Sequence, residues 1–526
     1  MNHIELFAGC GGLSLGLEQS GFVRVLANEL SPMAAETFSY NFLQEDLEEI
    51  AVQKGQPVNV KWIKSDYSDL KSRLRENPFT ISGRFSDISN LDNYEDLQGN
   101  LIVGSIVDLN NKLADSPQLV EFLSQGFENE GELDLVSGGP PCQSFSMAGK
   151  RERDNEKNTL PWEFARFVEM TNPRIVLLEN VTGILRAFKS AETGEKFHAW
   201  FEVAKVFASI GYVPLCLHVN ARHVGVPQNR PRFIMIAVRR DVLRGVMANS
   251  HMVDNELWAQ PLRFFDLVNN VNEIVDLEDL EYLDSMKHQH RALFENSFLF
   301  PLVNMVNNEV SVQDAIGDLK VHAPDDESAY VTQLTETFGF LNEHAFGLNH
   351  QLRNNSPIVR RRFRLYQVLR QIDDRQITRH VFDVLRGDEL ELSEEDWGVL
   401  SQYDYLHEDG ELRPFYHKVG FENYLASHPT RKQTQKALVA NKPAPAALSI
   451  PDDACHYDEN ELRVLSVREM ARIQSFPDNF VFRSKITTGG QMRKFEVPQY
   501  TQVGNAVPPL LGVALGQIIS GLLERA

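Results

Sequence analysis

Short apolar runs, each followed by a turn or a helical segment, constrain the fold of this chain more than any other feature. Five runs are typical of buried strands, and they occupy residues 3–9, 23–30, 133–139, 174–180 and 232–238. Apolar strands that alternate with helices are typical of a mostly parallel sheet covered on both faces. Ser31 followed by Pro32 gives a helix start signal after the second run. The sequence therefore predicts an α/β fold with a doubly wound sheet.

Length, composition and cysteine usage narrow the class of protein. The 526 residues, 42% of them hydrophobic, are enough for two to four domains, or for one large domain with an added lobe. The apolar runs are too short to cross a bilayer, and the N-terminus lacks a secretory leader. The four cysteines, Cys10, Cys142, Cys216 and Cys455, are far apart. We therefore expect a cytoplasmic protein with no membrane partner, no disulfide framework and no metal.

Charge is unevenly distributed along the chain. The net charge of −21 argues by itself against a polyanionic partner. Residues 350–386, however, contain nine arginines against three aspartates, a local charge of +6. Phosphate contacts depend on such local patches more than on the charge of the whole chain. Two interpretations stay open for this segment, a phosphate-binding surface and a solvated basic helix face.

The alternation of predicted strands and helices along the chain suggests where its domains begin and end. Residues 1–325 are predicted to form a catalytic domain, and the polar, irregular segment 55–132 is predicted to be an insertion in it. The alternation is lost over 326–458, where a second lobe is expected, with a Pro/Ala-rich exit linker at 441–453. The last segment, 459–526, is helical with apolar faces, and we expect it to pack back on the first domain and complete it.

A glycine-rich turn follows the first predicted strand. Gly9-Cys10-Gly11-Gly12 lies between a strand and a helix and would let the backbone approach a ligand closely. About 20 residues later, Glu29 ends the second strand, where an acid can bind ribose hydroxyls. The pattern predicts a nucleotide-type cofactor site. A tight turn without a ligand, and the cofactor turn of an oxidoreductase, are the alternatives.

Cys142 has the setting of a nucleophile. It follows two prolines at the end of a predicted strand, in the segment SGGPPCQSFSMAGKR of residues 137–151. The prolines fix the backbone, and the loop that follows carries Lys150 and Arg151, which suit phosphate contacts. The alternative is a small buried hydrophobic residue, which is the commoner role of a lone cysteine.

Two further segments place charged groups at strand ends. Glu179 and Asn180 end the run LLEN, and an acid there is costly unless it has a partner or a function. Gln228, Arg230 and Arg232 lead into the last predicted strand, where alternate side chains share a face and suit phosphate or carboxylate binding. A structural ion pair or a salt-bridge ladder is the alternative for both.

Taken together, six segments of this chain resemble the DNA cytosine-5 methyltransferases of bacterial restriction-modification systems. In chain order they read ELFAGCGGLSLGLE, GGPPCQSFS, ENVTGIL, QNRPRFIMIAV, SVREMARIQSFPDNF and QVGNAVPP. The resemblance covers about residues 1–50, 100–240, 311–320 and 460–526. It implies a Rossmann-like fold of S-adenosylmethionine-dependent methyltransferases, with residues 326–458 as a smaller target-recognition lobe.

The resemblance also implies a mechanism. The Cys142 thiolate would add to C6 of a cytosine flipped out of duplex DNA, which makes C5 nucleophilic toward the methyl group of S-adenosylmethionine. Glu179 would hold N3 and the exocyclic amine, while Arg230 and Arg232 would steady the base.

Residues for the cofactor and for DNA follow from the same resemblance. The cofactor residues are Phe7, Gly9, Gly11, Gly12, Glu29, Ser105, Pro140, Asn505 and Val507. Ser105 departs from the family, which usually has an acid there for the adenine amine, and Asp66 and Asp108 are possible substitutes. The DNA contacts are Gln143, Ser146, Lys150, Arg151, Gln228, Arg360, Arg361 and Arg362.

The expected partner is double-stranded DNA, bound by a monomer in the cytoplasm or nucleoid. A cognate restriction endonuclease or other defence components would be encoded nearby. A tRNA cytosine-5 methyltransferase and a catalytically inactive DNA-binding protein are the alternatives. The long recognition lobe and the lack of a Cys-Phe-Thr triplet disfavour the first, and the complete set of Cys142, Glu179 and Arg232 disfavours the second.

Overall fold

A nine-stranded sheet forms the centre of the protein. The structure, a computed structural model, describes residues 1–88, 94–128, 131–141, 160–189, 196–270, 273–339, 347–389, 391–428, 435–446 and 448–526. Its strands are β1 (Asn2–Leu6), β2 (Val23–Glu29), β3 (Val60–Trp62), β4 (Leu101–Val103), β5 (Leu135–Gly138), β6 (Ile175–Val181), β7 (Ala187–Lys189), β8 (Lys196–His198), β9 (Tyr212–Asn220), β10 (Pro231–Arg239), β11 (Leu283–Asp284), β12 (Tyr405–Leu406), β13 (Leu412–Arg413), β14 (Lys436–Ala437) and β15 (Ala454–Cys455).

Helices surround the sheet and also form much of residues 357–426. They are α1 (Gly12–Gln19), α2 (Pro32–Phe42), α3 (Leu47–Val52), α4 (Leu70–Arg73), α5 (Ile106–Ala114), α6 (Pro117–Ser124), α7 (Leu160–Thr171), α8 (Ala199–Ser209), α9 (Arg240–Ala248), α10 (Met252–Val268), α11 (His288–Glu295), α12 (Val312–Ile316), α13 (Ala329–Phe338), α14 (Pro357–Ile372), α15 (Arg375–Arg386), α16 (Glu394–Leu400), α17 (Lys418–Ala426), α18 (Val467–Ile473), α19 (Gln499–Asn505) and α20 (Pro509–Leu523).

The strand order confirms the predicted α/β architecture. The order is β11-β9-β10-β6-β5-β1-β2-β4-β3, and the six strands from β6 to β3 are parallel. Strand β10 runs antiparallel to both of its neighbours. Alternate side chains of β6 bury into two different cores, Val176 and Leu178 on one face and Ile175 and Leu177 on the other. Burial on both faces explains why residues 175–178 of this strand are all apolar.

The segment 55–132, which the sequence analysis predicts to be an irregular insertion, contributes to the central sheet. It contains strands β3 and β4, which extend the sheet beside β2. Val60, Trp62 and Val103 are buried in a cluster with Ala27 of β2. Each of these strands has only three residues, so the apolar signal of either one is too short to stand out among the polar residues around it.

Helix α20, near the C-terminus, packs against α1. The two helices meet at glycines, and a β-carbon on Gly16 would lie 2.5 Å from the Cα of Gly512. Leu515 and Ile519 join Leu13 in the same buried cluster. Among the described residues, no single helix is long and apolar enough to cross a membrane, although the bent pair 490–505 and 509–523 together meets that length and composition. Burial of α20 against the sheet accounts for its apolar character.

Helices α14 to α17 enclose a hydrophobic cluster of their own. Leu365 and Val381, from α14 and α15, pack there with Tyr405 and Phe421. The predicted exit linker is docked rather than extended, since the N–H group of Asn229 donates to the carbonyl of Ala444 (2.7 Å).

Candidate active site

The sheet brings three of the predicted motif segments to one edge. Strands β1, β2, β5 and β6 are parallel, so their carboxyl ends lie together, at the edge where α/β proteins bind ligands. Glu29 is the last residue of β2, and Glu179 lies two residues before the end of β6. Gly138 ends β5 and leads into the segment Gly139-Pro140-Pro141.

The glycine-rich turn after β1 has a constrained backbone. Gly9 and Gly11 have φ angles of 58° and 93°, and Phe7 has a φ of 55°. A left-handed conformation is costly for an aromatic residue, and such strain is concentrated at ligand-binding sites. The N–H group of Gly9 donates to the Glu29 carboxylate at 2.8 Å. The turn is therefore tied directly to the end of β2.

Glu29 connects the glycine-rich turn to the start of α2. Its second carboxylate oxygen accepts a hydrogen bond from the N–H group of Ser31 at 2.7 Å, and Ser31 caps α2 through its hydroxyl, which accepts from the N–H group of Ala34. Burial raises the pKa of Glu29, and the backbone donors of Ser31, Gly9 and Leu30 oppose that rise. A carboxylate held this way is oriented at the start of α2, where ribose hydroxyls can be bound.

A pocket begins at Leu30, directly after Glu29. It lies across the ends of β2, β3 and β4 and has a volume of about 100 Å³. Its walls combine apolar and polar side chains, namely Leu30, Pro32, Trp62, Lys64, Glu76, Pro78, Phe79, Ile81, Val103, Gly104, Ser105 and Asp108. An apolar pocket with a few convergent polar groups is typical of small-molecule sites.

The three polar residues considered for the adenine have different surroundings. The Ser105 hydroxyl caps α5 by accepting from the N–H group of Val107 at 3.2 Å. Asp108, in the first turn of α5, forms an ion pair with Lys64 inside the pocket. Asp66 accepts hydrogen bonds from Ser82 and Gly83, and these bonds lower its pKa. Asp66 is not among the pocket residues.

The segment after α19 closes over the glycine-rich turn. A β-carbon on Gly12 would lie 2.3 Å from the carbonyl oxygen of Val507, so only glycine fits this approach. Arg230 donates to the carbonyls of Gly504 (2.6 Å) and Ala506 (3.0 Å). Burial lowers the pKa of Arg230 well below its usual range. Arg230 thus holds the turn that contains the exposed Asn505.

Glu179 and Arg232 form a buried ion pair on adjacent strands. Arg232 Nε lies 2.6 Å from Glu179 Oε1, and the two side chains are only 9% and 11% exposed. In the β10–β6 register, Arg232 is opposite Val181, so it reaches Glu179 along the same face. Burial lowers the pKa of Arg232, and the Glu179 carboxylate opposes that shift.

The Pro-Pro segment is held beside this ion pair. The Asn180 side-chain amide donates to the carbonyl of Pro140 at 2.9 Å, and a β-carbon on Gly139 would lie 2.9 Å from Glu179 Oε2. Cys142 lies outside the described residues, as do Gln143, Ser146, Lys150 and Arg151.

The other predicted DNA contacts have varied environments. The Gln228 side chain is buried and donates to the carbonyl of Pro445 (3.0 Å), which holds the linker rather than facing solvent. Arg361 pairs with Glu408 at 3.2 Å and lies over the ring of Tyr424. Arg360 is exposed on α14, and Arg362 is partly exposed. Part of the basic segment therefore serves internal packing.

The described part of the chain contains no group of three or more histidine, cysteine or acidic residues placed to hold a metal ion. Cys10, Cys216 and Cys455 are buried and unpaired in disulfides, and burial raises the pKa of each thiol far above its usual value. A buried, neutral thiol is a poor nucleophile. These three cysteines are structural.

Sequence reasoning missed two features of the site. One is the tether between Asn180 and Pro140, although Asn180 is adjacent to Glu179 in the same motif. The other is the contribution of Lys64, Phe79 and Ile81 to the pocket. These residues lie in the segment treated as an insertion, so no motif pointed to them.

Comparisons with known proteins agree with this geometry. The fold resembles the crystal structure of a protein described as a DNA modification methyltransferase encoded within an E. coli prophage, with a TM-score of 0.51, 18% identity and coverage of 100% of this chain and 99% of that one. The Type II methyltransferase M.DdeI of Desulfomicrobium norvegicum is 26% identical over 100% of this chain and 90% of its own length. The Type II methyltransferase M1.HphI of Haemophilus parahaemolyticus is 24% identical, and the match covers 99% of this chain and 86% of that protein.

The fold and the site define an α/β methyltransferase. The sequence model of the C-5 cytosine-specific DNA methylase family matches residues 1–67 and 107–521, and the chain belongs to that family. The protein is therefore a DNA cytosine-5 methyltransferase, as the sequence motifs predicted. The match leaves out residues 68–106, which include β4.

Proposed function

We propose that this protein transfers a methyl group from S-adenosylmethionine to C5 of a flipped-out cytosine at a specific site in duplex DNA, through a covalent bond between Cys142 and C6. The observation that carries the proposal is the buried Glu179–Arg232 pair, beside Gly139 and Pro140. A carboxylate fixed next to the segment that leads to a cysteine suits recognition and activation of one pyrimidine ring.

The residues at the sheet edge fit S-adenosylmethionine. Glu29 offers a buried carboxylate at the end of β2, and the approach of Gly12 to Val507 leaves no room for a β-carbon. Phe7, Gly9 and Gly12 would contact the methionine side, and Pro140 would lie near the sulfonium. Glu29 would bind the ribose, and Asn505 with Val507 would close the site. When bound, S-adenosylmethionine supplies an electrophilic methyl group on its sulfonium.

The chain's own residues would activate the cytosine. The Cys142 thiolate adds to C6, and the electron pair of the C5–C6 double bond becomes available at C5 for bond formation to the methyl carbon. Glu179 binds the exocyclic amine and holds a proton at N3 as electron density builds on the ring. Arg232 keeps the Glu179 carboxyl in place. Loss of the C5 proton to a base then expels the Cys142 thiolate and restores the aromatic ring.

Binding to DNA must offset the cost of extruding the base, which is a few kcal/mol. Four polar residues follow the nucleophile in sequence, namely Gln143, Ser146, Lys150 and Arg151. They suit contacts to phosphates and to the base stack from which the cytosine is extruded. In the second lobe, Arg360 has the exposure that a phosphate contact requires. We propose that residues 326–458 are the target-recognition lobe.

The relatives support a role in restriction and modification. M.DdeI and M1.HphI are both named Type II methyltransferases, and this chain matches 90% and 86% of their lengths. We propose that the protein protects host DNA against a cognate endonuclease, acting as a monomer in the cytoplasm or on the nucleoid.

Tritium transfer tests the proposal. The full chain is incubated with tritiated S-adenosylmethionine and either duplex DNA or tRNA, and bisulfite sequencing of DNA from a host that expresses the protein then locates the methylated site. We expect label only in DNA, at one short sequence. Labelled tRNA with unlabelled DNA would contradict the proposed substrate, and no label in either would contradict the activity.

A further inference from the structure

One wall of the pocket beside Glu29 is made by a loop that we call the wall loop, residues 64–87. Phe79 and Ile81 of this loop face the pocket together with Leu30 and Pro32 from the start of α2. The Phe79 side chain is 52% exposed and contributes an aromatic ring to the wall of the pocket. The pocket is thus bounded by apolar groups contributed by two separate elements.

The wall loop is fixed by its own hydrogen bonds. Ser65 and Phe85 exchange two backbone hydrogen bonds of 2.9 Å each, which close the base of the loop. The Glu76 carboxylate accepts from the Ser65 hydroxyl and from the N–H group of Asp66, both at 2.7 Å. Asp66 in turn accepts from the N–H group of Ser82 at 2.9 Å. The loop therefore presents Phe79 and Ile81 on a preorganised support.

A second anchor joins the wall loop to the sheet. The Asp87 carboxylate accepts from the N–H group of Trp62, at the end of β3 (2.9 Å). Arg73 Nη1 donates to both of its oxygens, at 3.0 and 2.8 Å. The Arg73 guanidinium also lies over the Trp62 ring. The pocket wall and the sheet edge are thus one connected unit.

Four polar residues line the pocket, namely Lys64, Glu76, Ser105 and Asp108. The Ser105 hydroxyl caps α5, and the Glu76 carboxylate accepts hydrogen bonds from Ser65 and Asp66. Asp108, about one helical turn after Ser105 on α5, forms an ion pair with Lys64, and the two side chains are 24% and 48% exposed. This pair places an acceptor beside a donor. The edge of adenine offers the complementary pattern, since its amine donates and its neighbouring ring nitrogen accepts.

We propose that the wall loop and α5 build the purine subsite of the cofactor pocket, with Phe79 as the aromatic surface, Asp108 as the acceptor for the exocyclic amine and Lys64 as the donor to the ring nitrogen. This inference rests on the proposed use of S-adenosylmethionine. It assigns a ligand-binding role to a segment, 68–88, that lies in the stretch left out of the match to the family model.

Equilibrium binding tests the assignment without turnover. The full chain is titrated calorimetrically with S-adenosylhomocysteine and with its analogue that carries hydrogen in place of the 6-amino group. The wild-type protein should bind the analogue about tenfold more weakly, because the charged acceptor loses its donor. Asp108→Ala should bind S-adenosylhomocysteine about tenfold more weakly than wild type and should no longer distinguish the two ligands.

Asp115→Ala is the matched control, since Asp115 is an exposed acid at the opposite end of α5, and it should retain wild-type affinity and discrimination. For the aromatic surface, Phe79→Ala should weaken binding of both ligands about tenfold through lost stacking. Tyr67→Ala, which truncates an exposed ring of the same loop that does not line the pocket, should not.

The outcomes separate this proposal from the proposed function. Equal binding of both ligands by the wild-type protein, which requires no variant to fold, would overturn the role of Asp108. Unchanged affinities in Asp108→Ala or in Phe79→Ala would overturn the corresponding contact while leaving S-adenosylmethionine use intact. Failure of the wild-type protein to bind S-adenosylhomocysteine at all would contradict the cofactor itself.

Discussion

Arg232 Nε lies 2.6 Å from Glu179 Oε1, within a site where both side chains are almost fully removed from solvent. Each charge is costly to bury alone, and each is compensated by the other. The same two strands, β6 and β10, are hydrogen-bonded along seven residue pairs, so the relative position of the two groups is fixed by the sheet. The pair sets the orientation of the carboxyl that we propose binds the cytosine.

Removal of the Arg232 charge should impair catalysis more than cofactor binding. Arg232→Met leaves Glu179 buried without its cation, which costs about 3–5 kcal/mol of stability. We expect kcat for tritium transfer to fall about 100-fold, since a positioning interaction in the site is lost. The affinity for S-adenosylhomocysteine, measured by calorimetry, should change less than threefold.

Arg239→Met is the control for this variant. Arg239 is on the same strand and pairs with Glu132 and Asp241 at the opposite end of it. Its loss should leave kcat near the wild-type value. If Arg232→Met retained wild-type kcat, the carboxyl of Glu179 would not need this partner for function.

Removal of the Arg230 charge should impair cofactor binding more than catalysis. Arg230 donates to two carbonyls in the turn that closes over Gly12, so Arg230→Met should loosen that turn. We expect S-adenosylhomocysteine to bind about tenfold more weakly, and thermal unfolding to show a loss of about 1–3 kcal/mol from unsatisfied buried carbonyls. A selective loss of kcat with unchanged affinity would instead place Arg230 at the base, as the family resemblance implies.

The close approach of Gly12 to Val507 gives a steric prediction. Gly12→Ala introduces a β-carbon 2.3 Å from a backbone carbonyl oxygen, a distance that requires the closing turn to move. Calorimetry should show at least a tenfold loss of S-adenosylhomocysteine affinity, because the pocket is displaced.

The control, Gly521→Ala, replaces a glycine in α20 with no atoms within 4 Å of the added carbon. That change should leave affinity intact and stabilise the fold by about 0.5–1 kcal/mol. Normal cofactor binding by Gly12→Ala would mean that residues 504–507 do not close the site.

Glu5 makes stability depend on pH. This carboxyl is buried in β1, where it accepts from the Ser14 hydroxyl, and burial raises its pKa to about 8. The folded state therefore binds a proton that the unfolded chain releases between about pH 4.5 and pH 8, so stability falls as the pH rises through this window. Urea unfolding of the wild type should show a loss of a few kcal/mol between pH 6 and pH 8.5.

Glu5→Gln should flatten that dependence, because the amide does not ionise. The exposed Glu169 on α7 provides a matched substitution, and Glu169→Gln should retain the wild-type slope. A wild-type stability that is constant between pH 6 and pH 8.5 would contradict a neutral Glu5 in the folded state.

The sequence predicted the parts of this protein whose signals are local. Strands β5, β6 and β10 are long or apolar enough to be recognised, and Ser31 and Pro32 begin α2 as their residue types indicate. Glu29 and Glu179 were found because they lie at or near the ends of two apolar strands, β2 and β6. Strands β3 and β4 were missed because each has only three residues, and burial of Trp62 and Val103 in the folded protein identifies them.

The sequence also leaves open which groups within the chain each charged side chain contacts. The order of residues does not indicate that Arg361 pairs with Glu408 and lies over Tyr424, whereas Arg360 stays exposed. Similarly, the motif around Arg230 resembles a catalytic one, yet its guanidinium reaches backbone carbonyls 274 and 276 residues away in sequence. Such long-range pairings depend on the folded arrangement.

Covalent trapping tests the central claim most directly. Elimination of the Cys142 thiolate needs removal of the C5 proton, so a duplex with 5-fluorocytosine at the target position should hold the enzyme as a stable adduct after methyl transfer. With S-adenosylmethionine present, we predict that mass spectrometry of the digested protein finds the nucleotide on Cys142, and that Cys142→Ala forms no adduct. An adduct on another residue, or methylation of ordinary DNA by Cys142→Ala, would contradict the account.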